Sequence, residues 1–175
     1  IAFNEVPRNI LDWLAGYEVV DISRTDQNQR PGALIQYSFL GYPASRNKPS
    51  LKHKTIEPTI QPYHVVTLTE AQYEQLGLNA ASHIAVGFDP PNTKYPDGVV
   101  RTPPNPQGIS GGPVWCLGSL PEIDGERNRP TLVGVAIEHN KAPERLEASR
   151  IAFVLQAISQ IFPELTTEIP NSQFL

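Results

Sequence analysis

The stretch around Ser110 restricts the fold more than any other part of the chain. Three prolines occur within residues 102–106, just before it, and proline lacks the N–H that a central strand must donate. Two glycines and Pro113 follow the serine, and residues 114–117 are then rich in β-forming side chains. This order predicts a loop, then an exposed serine, then a strand.

Ser110 stands between glycines in residues 108–112, Gly-Ile-Ser-Gly-Gly. A serine hydroxyl becomes a strong nucleophile once a neighbouring base removes its proton. Glycine lacks a Cβ, so it permits tight backbone conformations that leave main-chain N–H groups free to bind a developing oxyanion. The pattern indicates a nucleophile beside its own oxyanion hole, although a glycine-rich turn with an incidental serine has the same residues.

A G-x-S-x-G sequence also occurs at the nucleophile elbow of α/β-hydrolases, where a strand precedes the serine and a helix follows it. The proline-rich approach and the β-rich continuation argue against that architecture here. A set of Ser110, Asp124 and His139 would follow the chain order of those enzymes, but only 29 residues separate Ser110 from His139. That spacing is too short for the elements that the hydrolase order requires.

Residues 108–113, Gly-Ile-Ser-Gly-Gly-Pro, resemble the nucleophile motif of trypsin-like (chymotrypsin-fold) serine peptidases. Residues 39–43 resemble a strand and Gly-Tyr-Pro turn early in the second barrel of bacterial members. Residues 131–137 resemble the strand that follows the nucleophile and lines the substrate cleft. The resemblance covers roughly residues 35–162, and more narrowly it is to bacterial trypsin-like domains that often occur within larger proteins.

The resemblance implies an all-β fold: a chymotrypsin-like six-stranded β-barrel, the second of a double-barrel fold, with short helices and a C-terminal helix. Residues 1–34 would be the end of the first barrel and the connector, residues 35–162 the C-terminal barrel, and residues 163–175 a tail. Composition agrees, because 18 prolines and 12 glycines among 175 residues indicate many turns. A chain of this length suits one domain.

Local patterns predict the individual elements. Thr69 and Gly77 suit the two ends of a short helix. Residues 140–147 are charged and predict a loop, and the apolar spacing of residues 148–162 predicts an amphipathic helix. Branched, aromatic and alternating residues indicate strands at 33–40, 51–56, 63–69, 83–89 and 131–139.

The resemblance also implies roles for five residues. Ser110 would attack a peptide carbonyl, and the N–H groups of Gly108 and Ser110 would hold the oxyanion. Ile137, Glu138 and His139 would form the strand edge along which a protein or peptide substrate pairs by β-augmentation. His139 near the pocket would favour an acidic side chain in the substrate. The implied activity is that of a serine endopeptidase.

The other two members of a catalytic triad are expected outside this chain. The triad follows the order His, Asp, Ser, with about 90 residues from Asp to Ser and about 140 from His to Ser. Counting back from Ser110 places the histidine before Ile1 and the aspartate near the start. We therefore expect the N-terminal half of the peptidase domain as a missing partner, and a nearly inactive chain without it. Asp21 is an internal rival for the aspartate, and Asp12 is a weaker one.

Two positions depart from the family pattern. Ile109 stands where trypsin carries an aspartate next to the nucleophile, so the ion pair that activates trypsin cannot form here. Ile137 replaces a serine that helps to hold the triad aspartate in typical members. The alternative function is a pseudoprotease, in which the barrel serves as a binding module and Ser110 is vestigial; an esterase of different fold is a third.

Composition and residue counts narrow the remaining classes of function. The net charge of −4 argues against nucleic-acid binding, which usually needs a clustered basic face. No apolar run approaches the ~18 residues that span a bilayer, so we expect no membrane partner and a cytoplasmic location. The single Cys116 cannot form an internal disulfide and is expected to pack as a small hydrophobe. Cys and His are too few and too scattered for a metal site, and we expect no cofactor.

Overall fold

The computed structural model describes residues 20–29, 35–48, 59–92, 99–119, 129–142 and 144–169. These residues form mostly β structure, with two α-helices, α1 (Glu70–Gln75) and α2 (Ile151–Ile161). Within this part of the chain, no helix has the length and apolar character needed to cross a membrane. The strands are β1 (Ile35–Gly41), β2 (Gln61–Val66), β3 (His83–Gly87), β4 (Pro113–Ser119), β5 (Thr131–Lys141) and β6 (Glu144–Arg150).

The six strands join one antiparallel sheet in the order β2-β1-β4-β5-β6-β3. The sheet curls into a half-barrel, and its two edge strands approach each other where Thr67, just after β2, bridges Val86 of β3. Beside this bridge the N–H of Leu68 donates to the carbonyl of Ala85 at 3.1 Å. The predicted all-β class is thereby confirmed for the described residues.

The main core lies inside the curl of the sheet. Alternate residues of each strand point to this inner face, where their side chains pack together. Cys116 is half-buried and packs against this core as predicted, and burial raises the pKa of its thiol. All six strands contribute side chains to the buried cluster, whose members are Tyr37, Phe39, Tyr63, Ile84, Val86, Phe88, Ile109, Val114, Val133, Ala136, Leu146 and Ala148.

The predicted helix between Thr69 and Gly77 is confirmed as α1. Thr69 Oγ1 accepts the N–H of Gln72 at 3.4 Å, and the Gln72 side chain accepts the N–H of Thr69 at 2.9 Å, which completes a capping box. Gly77 follows the helix with φ 64°. Tyr73 holds the helix on the sheet, because its hydroxyl accepts the N–H of Ala85 at 2.6 Å.

The prediction of a loop at residues 140–147 is wrong, because β5 runs into this segment and β6 begins within it. Helix α2 accordingly starts three residues later than predicted. Two buried charges on β6 obscure its strand pattern: Glu147 is 3% exposed and Arg150 is 1% exposed. Both have partners in the fold, since Arg145 Nε donates to Glu147 Oε1 at 2.5 Å and Arg150 Nε donates to the carbonyl of Ala80 at 2.6 Å.

Helix α2 and residues 20–29 pack together beside the sheet. Ile22 contacts the buried face of the helix. Thr25 forms a parallel bridge with Leu132 of β5, and Arg150 Nη1 donates to the carbonyl of Gln29. The segment that the resemblance assigns to an inter-barrel connector is therefore held firmly against β5, β6 and α2.

Several predictions concern residues outside the described part of the chain. They include the position of Asp12, the strand at residues 51–56, Asp124 and the tail beyond residue 169. The domain boundaries after residues 34 and 162 stay predictions.

Candidate active site

The nucleophile loop, residues 105–112 just before β4, carries the predicted nucleophile Ser110 and is built from short-range hydrogen bonds. Asn105 Oδ1 accepts the N–H of Gln107 at 2.9 Å. A second turn follows, in which the N–H of Ile109 donates to the carbonyl of Pro106 at 3.1 Å. The carbonyl of Gln107 also accepts the N–H of Ala44 at 2.9 Å. The loop is thus anchored to the segment that follows β1.

Two glycines are required by the shape of this loop. Gly108 has φ 99°, a conformation that residues with a Cβ rarely adopt. Gly112 lies against β1, so a Cβ there would overlap the carbonyl oxygen of Leu40. Ile109 between them is buried against Gly41, where a Cβ would come within 2.7 Å of Ile109 Cβ. The Gly-Tyr-Pro turn and the glycines around the serine therefore form one packed unit.

Ser110 is exposed, and its Oγ donates to the main-chain carbonyl of Ile137 in β5 at 2.8 Å. A carbonyl oxygen accepts a hydrogen bond but does not remove a proton, so this contact positions the hydroxyl without activating it. Within the described residues, no histidine forms a hydrogen bond with the Ser110 hydroxyl.

The N–H groups around Ser110 fall into two sets. Those of Ile109, Gly111 and Gly112 donate to main-chain carbonyls at 3.1, 2.8 and 2.9 Å respectively. Those of Gly108 and Ser110 donate to no acceptor in the described part of the chain. Unpaired main-chain donors beside an exposed hydroxyl are what stabilisation of a negatively charged oxygen requires. They are also the two groups that the sequence assigns to an oxyanion hole.

The serine lies in an open cleft of about 310 Å³, between the nucleophile loop and the end of β5. Asn105, Gln107 and Lys141 line this cleft as well, although no sequence motif pointed to them. The residues that the sequence assigns to the site all line it together: Gly108, Ser110, Ile137, Glu138 and His139.

Strand β5 has an open edge beside Ser110. β4 pairs with β5 only as far as Val135. Beyond Ala136, the described chain pairs β5 on one side only, with β6. The register of that pairing shifts between Ala136 and Glu138, which places a β-bulge at Ile137. An extended peptide can add to this edge as a further strand.

His139 is a fixed part of the cleft wall. Its Nε2 lies 3.2 Å from Glu144 Oε1, and its ring packs edge-to-face on Phe88 with the ring centroids 5.6 Å apart. Only 8% of the His139 side chain is exposed. These contacts give the imidazole a structural role in the wall, and its influence on substrate choice stays a prediction.

Glu138 is exposed at the cleft and is connected to a buried carboxylate behind it. Asn140 Nδ2 donates to Glu138 Oε1 at 2.6 Å and to Glu147 Oε1 at 2.8 Å. Glu147 also accepts the hydrogen bond from Arg145 Nε. This network joins β5 to β6 next to the bulge and restricts the motion of the open edge.

The structure assigns Asp21 to a local cap. Its Oδ1 accepts the N–H of Ser23 at 2.7 Å at the start of a 3-10 turn (Ile22–Arg24). Hydrogen bonds from the Ser23 side chain and main chain lower the pKa of this carboxyl. Among the described residues, no group of three or more His, Cys, Asp or Glu side chains is arranged to hold a metal ion.

The cleft thus combines three elements: an exposed serine hydroxyl, two main-chain donors that find no acceptor among the described residues, and an open strand edge. Together they can bind an extended chain, place a carbonyl carbon at the hydroxyl and stabilise the oxyanion that attack produces. No protein-family model matches the chain, and no curated protein matches it.

Proposed function

We propose that this chain is the C-terminal barrel of a trypsin-like serine endopeptidase, in which Ser110 attacks the carbonyl of a peptide bond. The main support is the pair of N–H groups, of Gly108 and Ser110, that have no acceptor in the described part of the chain and lie beside an exposed hydroxyl in a cleft. The curled antiparallel sheet, with the nucleophile loop entering its fourth strand, is consistent with the barrel that the family resemblance implies.

In the proposed mechanism, an extended peptide pairs with the open edge of β5 and presents its carbonyl carbon to Ser110. Oγ bonds to that carbon while a general base takes the hydroxyl proton. The carbonyl oxygen becomes an oxyanion that accepts the N–H groups of Gly108 and Ser110, and one such donor contributes about 10²–10³ in kcat. The C–N bond then breaks, the base protonates the leaving amine, and water hydrolyses the acyl-enzyme by the same steps.

In this proposal the general base is a histidine of the missing N-terminal half of the peptidase domain. Ser110 Oγ donates to a carbonyl, and His139 is engaged by Glu144 and Phe88. The family resemblance implies that a histidine and an aspartate come from the other half of the peptidase domain. Because Ile137 lacks the hydroxyl with which typical members hold that aspartate, other groups would orient it.

A second candidate function is a peptide-binding module on the same barrel. It is favoured by the hydrogen bond between Ser110 and the Ile137 carbonyl, which ties the hydroxyl to a group that cannot activate it. The open edge of β5 would then bind an extended peptide without cleaving it.

A fluorophosphonate probe, which bonds covalently to activated serine hydroxyls, separates the two candidates. The natural protein at full length is labelled beside its Ser110→Ala and Ser159→Ala variants. Ser159 on α2 is a matched control, because its hydroxyl also donates to a main-chain carbonyl at 2.8 Å. If the protein is an endopeptidase, we expect the wild type and Ser159→Ala to be labelled and Ser110→Ala to remain unlabelled. An unlabelled wild-type protein, or labelling that survives Ser110→Ala, would contradict it.

A further inference from the structure

Two consecutive carbonyls of β5 face the nucleophile loop. In a regular antiparallel strand, hydrogen-bonding groups alternate between the two neighbours. Here the carbonyl of Ala136 accepts the N–H of Gly111 at 2.8 Å, and the next carbonyl, of Ile137, accepts Ser110 Oγ at 2.8 Å. The register shift between Ala136 and Glu138 permits this arrangement, since a bulge rotates one residue out of the alternation.

The Ile137 carbonyl is also the first acceptor available on the open edge of β5. Pairing with β4 ends at Val135, and the nucleophile loop occupies Ala136. A peptide that adds to this edge therefore begins at Ile137. Because strand addition depends on main-chain hydrogen bonds, the first N–H of the peptide meets the acceptor that the Ser110 hydroxyl occupies.

We propose that the substrate releases the nucleophile: the main-chain N–H of an extended peptide replaces the Ser110 hydroxyl at the Ile137 carbonyl and frees Oγ to give its proton to the base. This step rests on the proposed function and precedes acylation. Before the peptide binds, the hydroxyl proton is held by an acceptor that cannot remove it.

The exchange favours a peptide and is readily reversed. One neutral hydrogen bond changes an equilibrium constant by a factor of about 2 to 12. The hydroxyl forms one such bond with β5, whereas a peptide strand forms several along the edge. In Ser110→Ala the Ile137 carbonyl has no hydroxyl to release before a peptide binds. Peptide affinity should therefore rise by the factor of about 2 to 12 that one hydrogen bond contributes.

Affinity selection on the 175-residue chain tests this exchange without turnover, because the proposed general base comes from the other half of the peptidase domain. The probe is a pool of tetrapeptides with randomised side chains, acetylated and amidated at their ends, retained on immobilised protein and quantified by mass spectrometry. A second pool carries N-methyl groups on its main-chain nitrogens and so lacks the donors. The proteins are the wild type, Ser110→Ala and Ser159→Ala, in which the lost hydroxyl donates to the carbonyl of Gln156 at the same distance of 2.8 Å.

We expect Ser110→Ala to retain about 2 to 12 times more of the unmethylated pool than either other protein. The methylated pool should show no difference. Equal retention by Ser110→Ala and the wild type overturns the proposal, because the Ile137 carbonyl then accepts both donors at once. No retention by any of the proteins overturns it as well, because the edge then binds no peptide.

This outcome is separate from the test of the proposed function. Increased retention by Ser110→Ala without fluorophosphonate labelling of the wild type would mean that the exchange at Ile137 exists on a barrel that does not catalyse. Labelling of Ser110 with equal retention would mean a peptidase whose hydroxyl is not released by its substrate.

Discussion

Gly41 is the position at which one added methyl group disturbs the packing beneath the nucleophile loop. A Cβ at Gly41 would lie 2.7 Å from Ile109 Cβ and 2.8 Å from Ile109 Cα. Non-bonded carbons prefer separations of about 3.5–4.0 Å, so Gly41→Ala must displace Ile109 by about 1 Å. Overpacking of this kind lowers the free energy of unfolding by about 1–3 kcal/mol. Since Ile109 lies between the two unpaired donors, a shift of this size should also slow the reaction of Ser110 about 100-fold.

Gly87→Ala is the matched control, because among the described residues its Cβ would meet only Leu68 Cδ2, at an ordinary contact distance of 3.6 Å. We expect this change to alter the free energy of unfolding by less than about 1 kcal/mol. Urea unfolding followed by circular dichroism measures both variants, and the rate of fluorophosphonate labelling of the full-length protein reports on the site. If Gly41→Ala unfolds and reacts like Gly87→Ala, the packing of Ile109 against Gly41 does not support the loop.

Two further changes test the core and the cleft. Burial raises the pKa of the Tyr37 hydroxyl above the ordinary value of 10.0, so its stabilising contribution is complete below pH 10 and is lost as the pH rises further, by up to about 1.4 kcal/mol per unit. In urea unfolding, Tyr37→Phe should make the decrease in the free energy of unfolding between pH 10 and 11 less steep. An unchanged slope would show that the Tyr37 hydroxyl does not cause this decrease. Lys141 lines the cleft and forms no ion pair within the described residues, so Lys141→Ala should reduce the kcat/KM preference for Glu over Gln substrates about threefold. Lys48→Ala, outside the cleft, should leave that ratio unchanged, and equal effects of the two variants would rule out a direct role for Lys141.

The nucleophile loop was predictable because its determinants are local. Proline and glycine restrict or free the backbone at their own positions, so the exposed serine and the strand after it follow from neighbouring residues. The bulge at Ile137 was not predictable, because a register shift depends on pairing with β6. Ile137, Glu138 and His139 were reached only through the family resemblance, and all three line the cleft.

Strand β6 was missed because its charged residues find their partners only in the folded protein. Charged side chains are rarely buried unless they are paired, so Glu147 was assigned to a solvated loop, while Arg150 fell within the helix predicted from the apolar spacing of residues 148–162. In the structure both are buried, and Arg150 reaches carbonyls at Ala80 and Gln29, far away in the sequence. Helix α1 shows the opposite case, since its capping residues lie within the helix segment itself.

A crystal structure of the full-length natural protein after reaction with a fluorophosphonate tests the oxyanion hole most directly. A phosphoryl oxygen of the adduct on Ser110 stands in for the oxyanion. We expect that oxygen within about 2.7–3.1 Å of the main-chain nitrogens of both Gly108 and Ser110. An adduct whose phosphoryl oxygens all face solvent, with those two N–H groups still unpaired, would contradict the role proposed for this loop.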